Sequence, residues 1–194
     1  MSSSITADEL VDLVNAIFTS IDKAAELIGK VWKVETIGDC YQVIIGGPFP
    51  CHDHAQRGMQ LAYAILQLMH CISDRLEIPV TCRCSVHTGQ VCAAVMGSLL
   101  PRYLVYGPDV TVARKMEATA EVGSIQVSEA TRRQLGANTW RFSDERMTTF
   151  PGEIEVKTWT VKRCAANLAA LRRGSDGHTR DLVAYLNQFS AAAD

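Results

Sequence analysis

Residues 31–46 hold the side chains with the clearest chemical potential. Two runs rich in Val, Ile, Trp and Tyr flank Thr36-Ile37-Gly38-Asp39, and residues of these types favour strands. A Gly and an Asp between such runs are what a tight turn asks for. The stretch therefore reads as a β-hairpin with Asp39 at its tip. A carboxylate held on a rigid hairpin is a good oxygen ligand for a hard cation such as Mg²⁺ beside phosphates. The same spacing also suits an aspartate that only makes the turn. The second residue is Arg83, the one cation in the otherwise apolar run 78–86. A guanidinium buried in a strand needs a carboxylate or a phosphate opposite it, and the run alone leaves both open.

Other chemistry-bearing residues read more plainly. Cys51-His52-Asp53-His54 puts two imidazoles around a carboxylate where a helix begins. A metal pair there lacks a third ligand beyond Asp53, so helix entry and capping is the favoured role. His87 closes the run 78–86 and reads as a hydrogen-bonding residue at a strand end rather than a general base. Cys82 and Cys84 flank Arg83 and share one face of an extended chain. The seven cysteines form no C-x-x-C pair. They read as buried thiols in a reducing compartment, with redox sensing as the alternative.

The elements that position these groups follow from periodicity. Thr6-Ala7-Asp8-Glu9 is a capping-box pattern, and Leu10, Leu13, Val14, Ile17, Phe18, Ile21, Ala24, Ala25 and Ile28 recur at helical spacing up to Gly29. A second helix is predicted from His54 to about Arg75, with Met59, Ala62, Tyr63, Leu66 and Met69 on one face. Residues 78–86 predict a strand and 90–96 its antiparallel partner. A strand over 103–106, a helix over 110–118 and a strand over 124–127 follow, then a helix capped by Ser128. Residues 140–142 and 155–161 predict a closing strand pair. Strands and helices alternate, yet hairpins join several strands, so the class is α+β with a mixed or antiparallel sheet covered by helices.

Length and composition set bounds. The 194 residues suit one domain with a sizeable core. A hydrophobic fraction of 47% with 21% charged residues is ordinary for a globular protein. A net charge of −2 gives no general attraction to nucleic acid or anionic lipid, so neither is expected as a partner. No apolar run is long enough to span a membrane and no signal peptide opens the chain. A cytoplasmic location is expected, including as the cytosolic domain of a larger membrane protein.

Three ordered motifs carry a more specific resemblance. Lys33-Val34-Glu35-Thr36-Ile37-Gly38-Asp39-Cys40-Tyr41, Arg83-Cys84-Ser85-Val86-His87-Thr88-Gly89-Gln90-Val91, and the run from Pro101 through Gly107-Pro108-Asp109-Val110-Thr111 to Glu117 resemble the class III nucleotidyl cyclases, the adenylate and guanylate cyclases. The resemblance implies a ferredoxin-like βαββαβ palm fold over residues 1–163, N-terminally truncated, with 164–194 as a C-terminal tail, a helix or a linker. It implies cyclisation of GTP or ATP to the 3′,5′-cyclic monophosphate and pyrophosphate, with two Mg²⁺ or Mn²⁺ ions, at an interface between two cyclase domains. By that resemblance Asp39 is the second metal aspartate and Arg83 contacts phosphate. Glu35 stands at the purine-reading position, where a carboxylate suits the N–H donors of guanine.

The departures are as informative as the matches. The first metal aspartate normally lies on a strand before the opening helix, and this chain is expected to lack it. Leu104 stands at a base-recognition position and cannot hydrogen-bond. Thr111 replaces the catalytic Asn. Lys115, with Arg114 beside it, replaces the Arg that stabilises the pentavalent phosphate. Glu153 falls near the late Lys that meets the terminal phosphates. Asp39 and Arg83 are kept while the complementary set is lost, which implies the metal-bearing half of a heterodimeric site, with Glu35 a relic of the unused half. The alternative is a catalytically inactive, cyclase-like regulatory or dimerisation module.

Overall fold

The computed structural model describes residues 6–135, 140–150, 154–172 and 177–190. Helix α1 (Ala7–Ile28) starts at the predicted capping box: Thr6 Oγ1 accepts from the Glu9 N–H, and Glu9 accepts from the Thr6 N–H at 2.8 Å. Gly29 ends it with a left-handed φ of 70°. Strands β1 (Val31–Ile37) and β2 (Cys40–Ile45) form the predicted hairpin. Helix α2 (His54–Leu76) follows, its entry fixed by the Asp53 carboxylate against Arg57 at 2.9 Å. The order continues as β3 (Cys84–Val86), β4 (Cys92–Met96), β5 (Arg102–Tyr106), α3 (Pro108–Thr119), β6 (Ser124–Ser128), α4 (Glu129–Gln134), β7 (Arg146–Phe150), β8 (Ile154–Lys162), α5 (Ala165–Arg172) and α6 (Gly177–Ser190).

The strands make a four-stranded sheet, β3-β6-β8-β7, and two separate two-stranded pairs, β1-β2 and β4-β5. β6 is buried at every position, as a strand covered on both faces must be. Alternation sorts its neighbours. Cys84, Val86, Ile125, Val127 and Val161 join the main core with Met59, Tyr63 and Leu68 of α2. Gln126, Thr148 and Thr158 point to the other face and bond to one another. There α3 packs Val112 and Met116 on Phe150 and Val156, and Ser85 donates to the Ala113 carbonyl.

Helices α5 and α6 belong to the same core. Leu171 and Leu182 are fully buried, α6 lies against α1 and α2, and the Tyr185 hydroxyl donates to the Ser20 carbonyl. Among the described residues no helix is long and apolar enough to cross a membrane.

Three expected elements differ. Only residues 84–86 of the run 78–86 enter a ladder, and β3 pairs with β6 in parallel rather than with β4. Upstream, the Val80 N–H turns back to the Ile78 carbonyl and to Ser73 Oγ, so that part is a bend. Strand β4 pairs instead with β5, because the segment after His87 is tied to α3 and α4 and leaves the sheet. The strand opposite β8 is β7, not 140–142. Trp140 is spent on the core, where its ring meets Tyr63 at 5.4 Å and its Nε1–H donates to Gln56.

The hairpin and the main sheet share no ladder bond among the described residues. They nonetheless lie side by side over α2. Val86 of β3 and Ile45 of β2 come within 3.2 and 3.9 Å of the place a Cβ on Gly58 would take.

Candidate active site

The tip of the hairpin is a two-residue turn, since Ile37 and Cys40 are opposite each other. Gly38 carries φ of 60° there, which a glycine adopts without steric cost and which matches strand twist in tight hairpins. The turn leaves Asp39 exposed, and no described residue donates a hydrogen bond to its carboxylate. Open space surrounds the adjacent Gly38. Asp39 is thus available to an outside cation.

The neighbours of the tip are charged. Burial of its sulfur pushes the Cys40 thiol up, and Glu117, Asp39 and Glu35 push it further while Arg114 opposes them. Those four charged groups therefore lie on one side of the molecule, between the hairpin and α3. Glu117 joins Arg83 to the group: Arg83 Nε meets Glu117 Oε1 at 2.9 Å. Arg83 is not the buried strand cation its sequence context suggests. It precedes β3, and its side chain is 45% exposed with Glu117 at 38%. A pair this exposed contributes at most about 1 kcal/mol, and Glu117 engages one of the five guanidinium N–H donors. A phosphate oxygen can compete for such a group.

A second arrangement shares Glu35 and Arg114 with this charged side. A cleft of about 400 Å³ is lined by Glu35, Ile37, Leu104, Tyr106, Thr111 and Arg114, among others. Glu35 and Gln42 are cross-strand partners, and Arg114 clamps both, with Nη2 2.7 Å from Glu35 Oε1 and 2.9 Å from Gln42 Oε1. Leu104 gives the cleft an apolar wall, and Thr111 stands exposed in it on α3. Lys115 lies one turn beyond Thr111 on the same helix face. The structure thus gathers Glu35, Leu104 and Thr111 in one cleft, pairs Arg83 with Glu117, and brings the charges of Glu117 and Asp39 to bear on the same Cys40 thiol. Glu153 lies outside the described residues.

Sequence reasoning missed Arg114 as the partner of Glu35 and Glu117 as the partner of Arg83. Both lie on α3 at helical spacing, 114 and 117, and that periodicity was the only available signal. Among the described residues, no group of three or more His, Cys, Asp or Glu could hold a metal ion unaided. Asp39 fits as one oxygen ligand of a hard cation, with the remaining ligands coming from outside this set.

The segment that leaves β3 is anchored by His87. Its Nδ1 lies 2.9 Å from Ser128 Oγ and its Nε2 3.0 Å from Asp109 Oδ1, so it has the structural role expected. Asp109 also accepts from the Gln90 N–H at 2.7 Å, and a Cβ on Gly89 would fall 2.2 Å from Asp109 Cγ, so only glycine fits. The hydrogen bond with His87, then the Gln90 N–H, hold the Asp109 carboxyl below its ordinary value of 3.8. A carboxyl lowered on folding stabilises the fold above that value and loses its contribution as pH falls through the folded pKa. The urea midpoint of the wild type should therefore fall more steeply below about pH 4 than that of Asp109→Asn. Parallel curves for the two proteins would show that this contact adds no acid sensitivity.

Comparison with known proteins identifies the family of the chain. The profile of the family described as adenylate and guanylate cyclase catalytic domain matches residues 1–163. The receptor-type guanylate cyclase gcy-23 of Caenorhabditis elegans is 34% identical over 158 residues, 80% of this chain and 14% of that protein. The soluble guanylate cyclase subunit beta-2 of Rattus norvegicus is 31% identical over 150 residues, 77% of this chain and 21% of that protein. The match therefore spans only 14–21% of the length of these relatives. Among solved structures, the guanylate cyclase domain of RhGC from Catenaria anguillulae, in complex with GTP, superposes with a TM-score of 0.73 at 27% identity, covering 83% of this chain and 87% of that one. The non-canonical dimeric guanylyl cyclase domain of the RhoGC fusion protein from Blastocladiella emersonii gives 0.69 at 28% identity, with 82% and 84% covered. With its motifs, its palm-type fold and most of its length matched, the chain belongs to the adenylate and guanylate cyclase catalytic domain family.

Proposed function

We propose that this chain is the metal-bearing half of a nucleotide cyclase that converts GTP or ATP to the 3′,5′-cyclic monophosphate and pyrophosphate, in a pocket completed by a second, different cyclase domain. The observation that carries this reading is the asymmetry between the two arrangements. Asp39 is open and stands on the same charged side as Arg83, whereas Glu35 is taken up by the chain's own Arg114. The half-site that holds metal and phosphate is accessible; the half-site that reads a base is neutralised from within.

Each residue then has a defined part. Asp39 offers its carboxylate oxygens to Mg²⁺ or Mn²⁺, which when bound supplies charge stabilisation for the attacking and leaving oxygens. Arg83 turns from Glu117 to the triphosphate, where a guanidinium makes paired hydrogen bonds. The partner domain contributes the base reader and the donors that Leu104, Thr111 and Lys115 do not provide here. The reaction is an in-line displacement, so placement and charge do most of the catalytic work. The GTP complex of the RhGC domain and the dimer of the RhoGC domain support a nucleotide and a second domain as partners.

The exposed arm β4-β5 is the surface for that partner. Val95 is 68%, Leu99 94% and Leu100 77% exposed, and large apolar side chains left in water together on one arm are the kind that mark an interaction site. Replacing Leu99 and Leu100 together with Asp should abolish co-elution with a complementary cyclase domain on size exclusion while leaving the circular dichroism of this chain intact. Unchanged co-elution would place the interface elsewhere.

The direct experiment mixes this chain with a complementary cyclase domain, Mn²⁺ and GTP or ATP. Cyclic product in the mixture and none with either half alone is the expected result. A second reading, a regulatory module that pairs without turnover, is favoured by the Arg114–Glu35 clamp and by the apolar Leu104. It predicts pairing but no product with any nucleotide, and that outcome would replace the first.

A further inference from the structure

Outside the two arrangements described above, one pair of side chains lacks an assigned role. Cys82 and Cys84 bracket Arg83, and their sulfurs are 3.8 Å apart. Both are half-buried. Cys84 packs on the main core, while Cys82 also lines a cleft of about 290 Å³ with Met69, Ser73, Thr81 and Lys162 among its walls. We propose that Cys82 and Cys84 form a reversible oxidation site: a hydroperoxide entering this cleft oxidises Cys82, Cys84 closes an 82–84 disulfide, and the new bond re-aims the intervening Arg83.

The geometry permits the bond. Two residues of extended chain span about 6.6 Å, at the upper end of the roughly 4.4–6.8 Å range of bridged Cα atoms, and same-side placement leaves the sulfurs 3.8 Å apart. The roles of the two thiols differ. Either sulfur can donate across this contact; it favours charge on Cys82, whose thiol is held below its ordinary value, and pushes Cys84 well above it. Thiolate character and access to a cleft mark the sulfur that is attacked first. The Cys82 sulfur attacks the hydroperoxide, forming a sulfenic acid and releasing an alcohol or water. The Cys84 sulfur then displaces hydroxide from Cys82, and water leaves with the Cys84 proton. Two thiols lose two electrons and two protons in all, and the peroxide O–O bond is reduced. Bringing the sulfurs from 3.8 Å to bonding distance shifts the chain on both sides of Arg83 and so disturbs its 2.9 Å contact with Glu117. That last consequence for nucleotide turnover rests on the cyclase reading; the oxidation itself does not.

The test treats the reduced full-length chain with hydrogen peroxide, blocks remaining thiols and digests with trypsin. Trypsin cuts after Arg83, so an 82–84 disulfide joins peptides 76–83 and 84–102. The expected result is that joined pair, reversed by dithiothreitol and absent in Cys84→Ser, where Cys82 instead accumulates as a dimedone-trapped sulfenic acid. Oxidation confined to the exposed Cys40, Cys92 and Cys164, or a joined pair that persists in Cys84→Ser through Cys92, overturns the site. In the complemented cyclase assembly, peroxide should lower turnover of the wild type at least tenfold, reversibly, and spare Cys84→Ser. A disulfide that forms without loss of turnover removes the link to Arg83 and leaves the oxidation site standing. An assembly with no turnover at all counts against the cyclase reading alone.

Discussion

Asp39→Asn leaves the urea midpoint of this chain unchanged and lowers cyclic nucleotide formation by the complemented assembly at least about a hundredfold, the loss typical when one preorganised electrostatic group is removed from a displacement reaction. The first half of that result follows from exposure. Asp39 accepts no hydrogen bond from the described residues, and the turn is made by Gly38, whose φ of 60° does not depend on the neighbouring side chain. Asn also suits such turns, so the hairpin persists. The second half follows from charge: an amide oxygen carries no net charge to offer a divalent cation. The measurement is initial rate at saturating Mn²⁺ beside a denaturation curve. Undiminished turnover would reduce Asp39 to a turn residue and remove the basis of the cyclase reading.

Leu182→Ala should destabilise the chain by about 2–5 kcal/mol, the range for a buried leucine cut back to alanine. The side chain is fully buried on α6 and belongs to the core that holds Ile21, Ile28 and Tyr63. Total stabilities run to only about 5–15 kcal/mol, so this single change consumes a large share. A chain ending at Arg163 would expose the same leucine-lined surface and should not give a cooperative urea transition. If Leu182→Ala instead shifts the midpoint no more than an exposed substitution such as Glu26→Ala, then α6 is an appendage rather than part of the fold.

Much of this was readable from residue types. The capping box, the Gly38-Asp39 turn and the apolar face of α2 are local, and local rules place them. Strand partnership is not local. Residues 84–86 pair in parallel with 125–127 because α2 and α3 cover opposite faces, and nothing within the run 78–86 announces that. Trp140 and Phe142 have strand-like composition, yet one fills the core beside Tyr63 and the other lies under the Arg132 guanidinium at 5.3 Å. Arg83 looked buried because its neighbours are apolar, but Cys82 and Cys84 take the core side and Arg83 meets Glu117 of α3 at the surface. The Arg114–Glu35 pair joins residues 79 positions apart, a distance over which composition says nothing.

The seam between hairpin and main sheet has a mechanical consequence. Among the described residues no ladder bond crosses it; Ile45 and Val86 both pack above Gly58, and side chains such as Arg114 tie the hairpin to α3. The hairpin should therefore yield more readily than strands inside an unbroken sheet, and the amides along the outer edge of β2 should exchange with deuterium faster than those of β6.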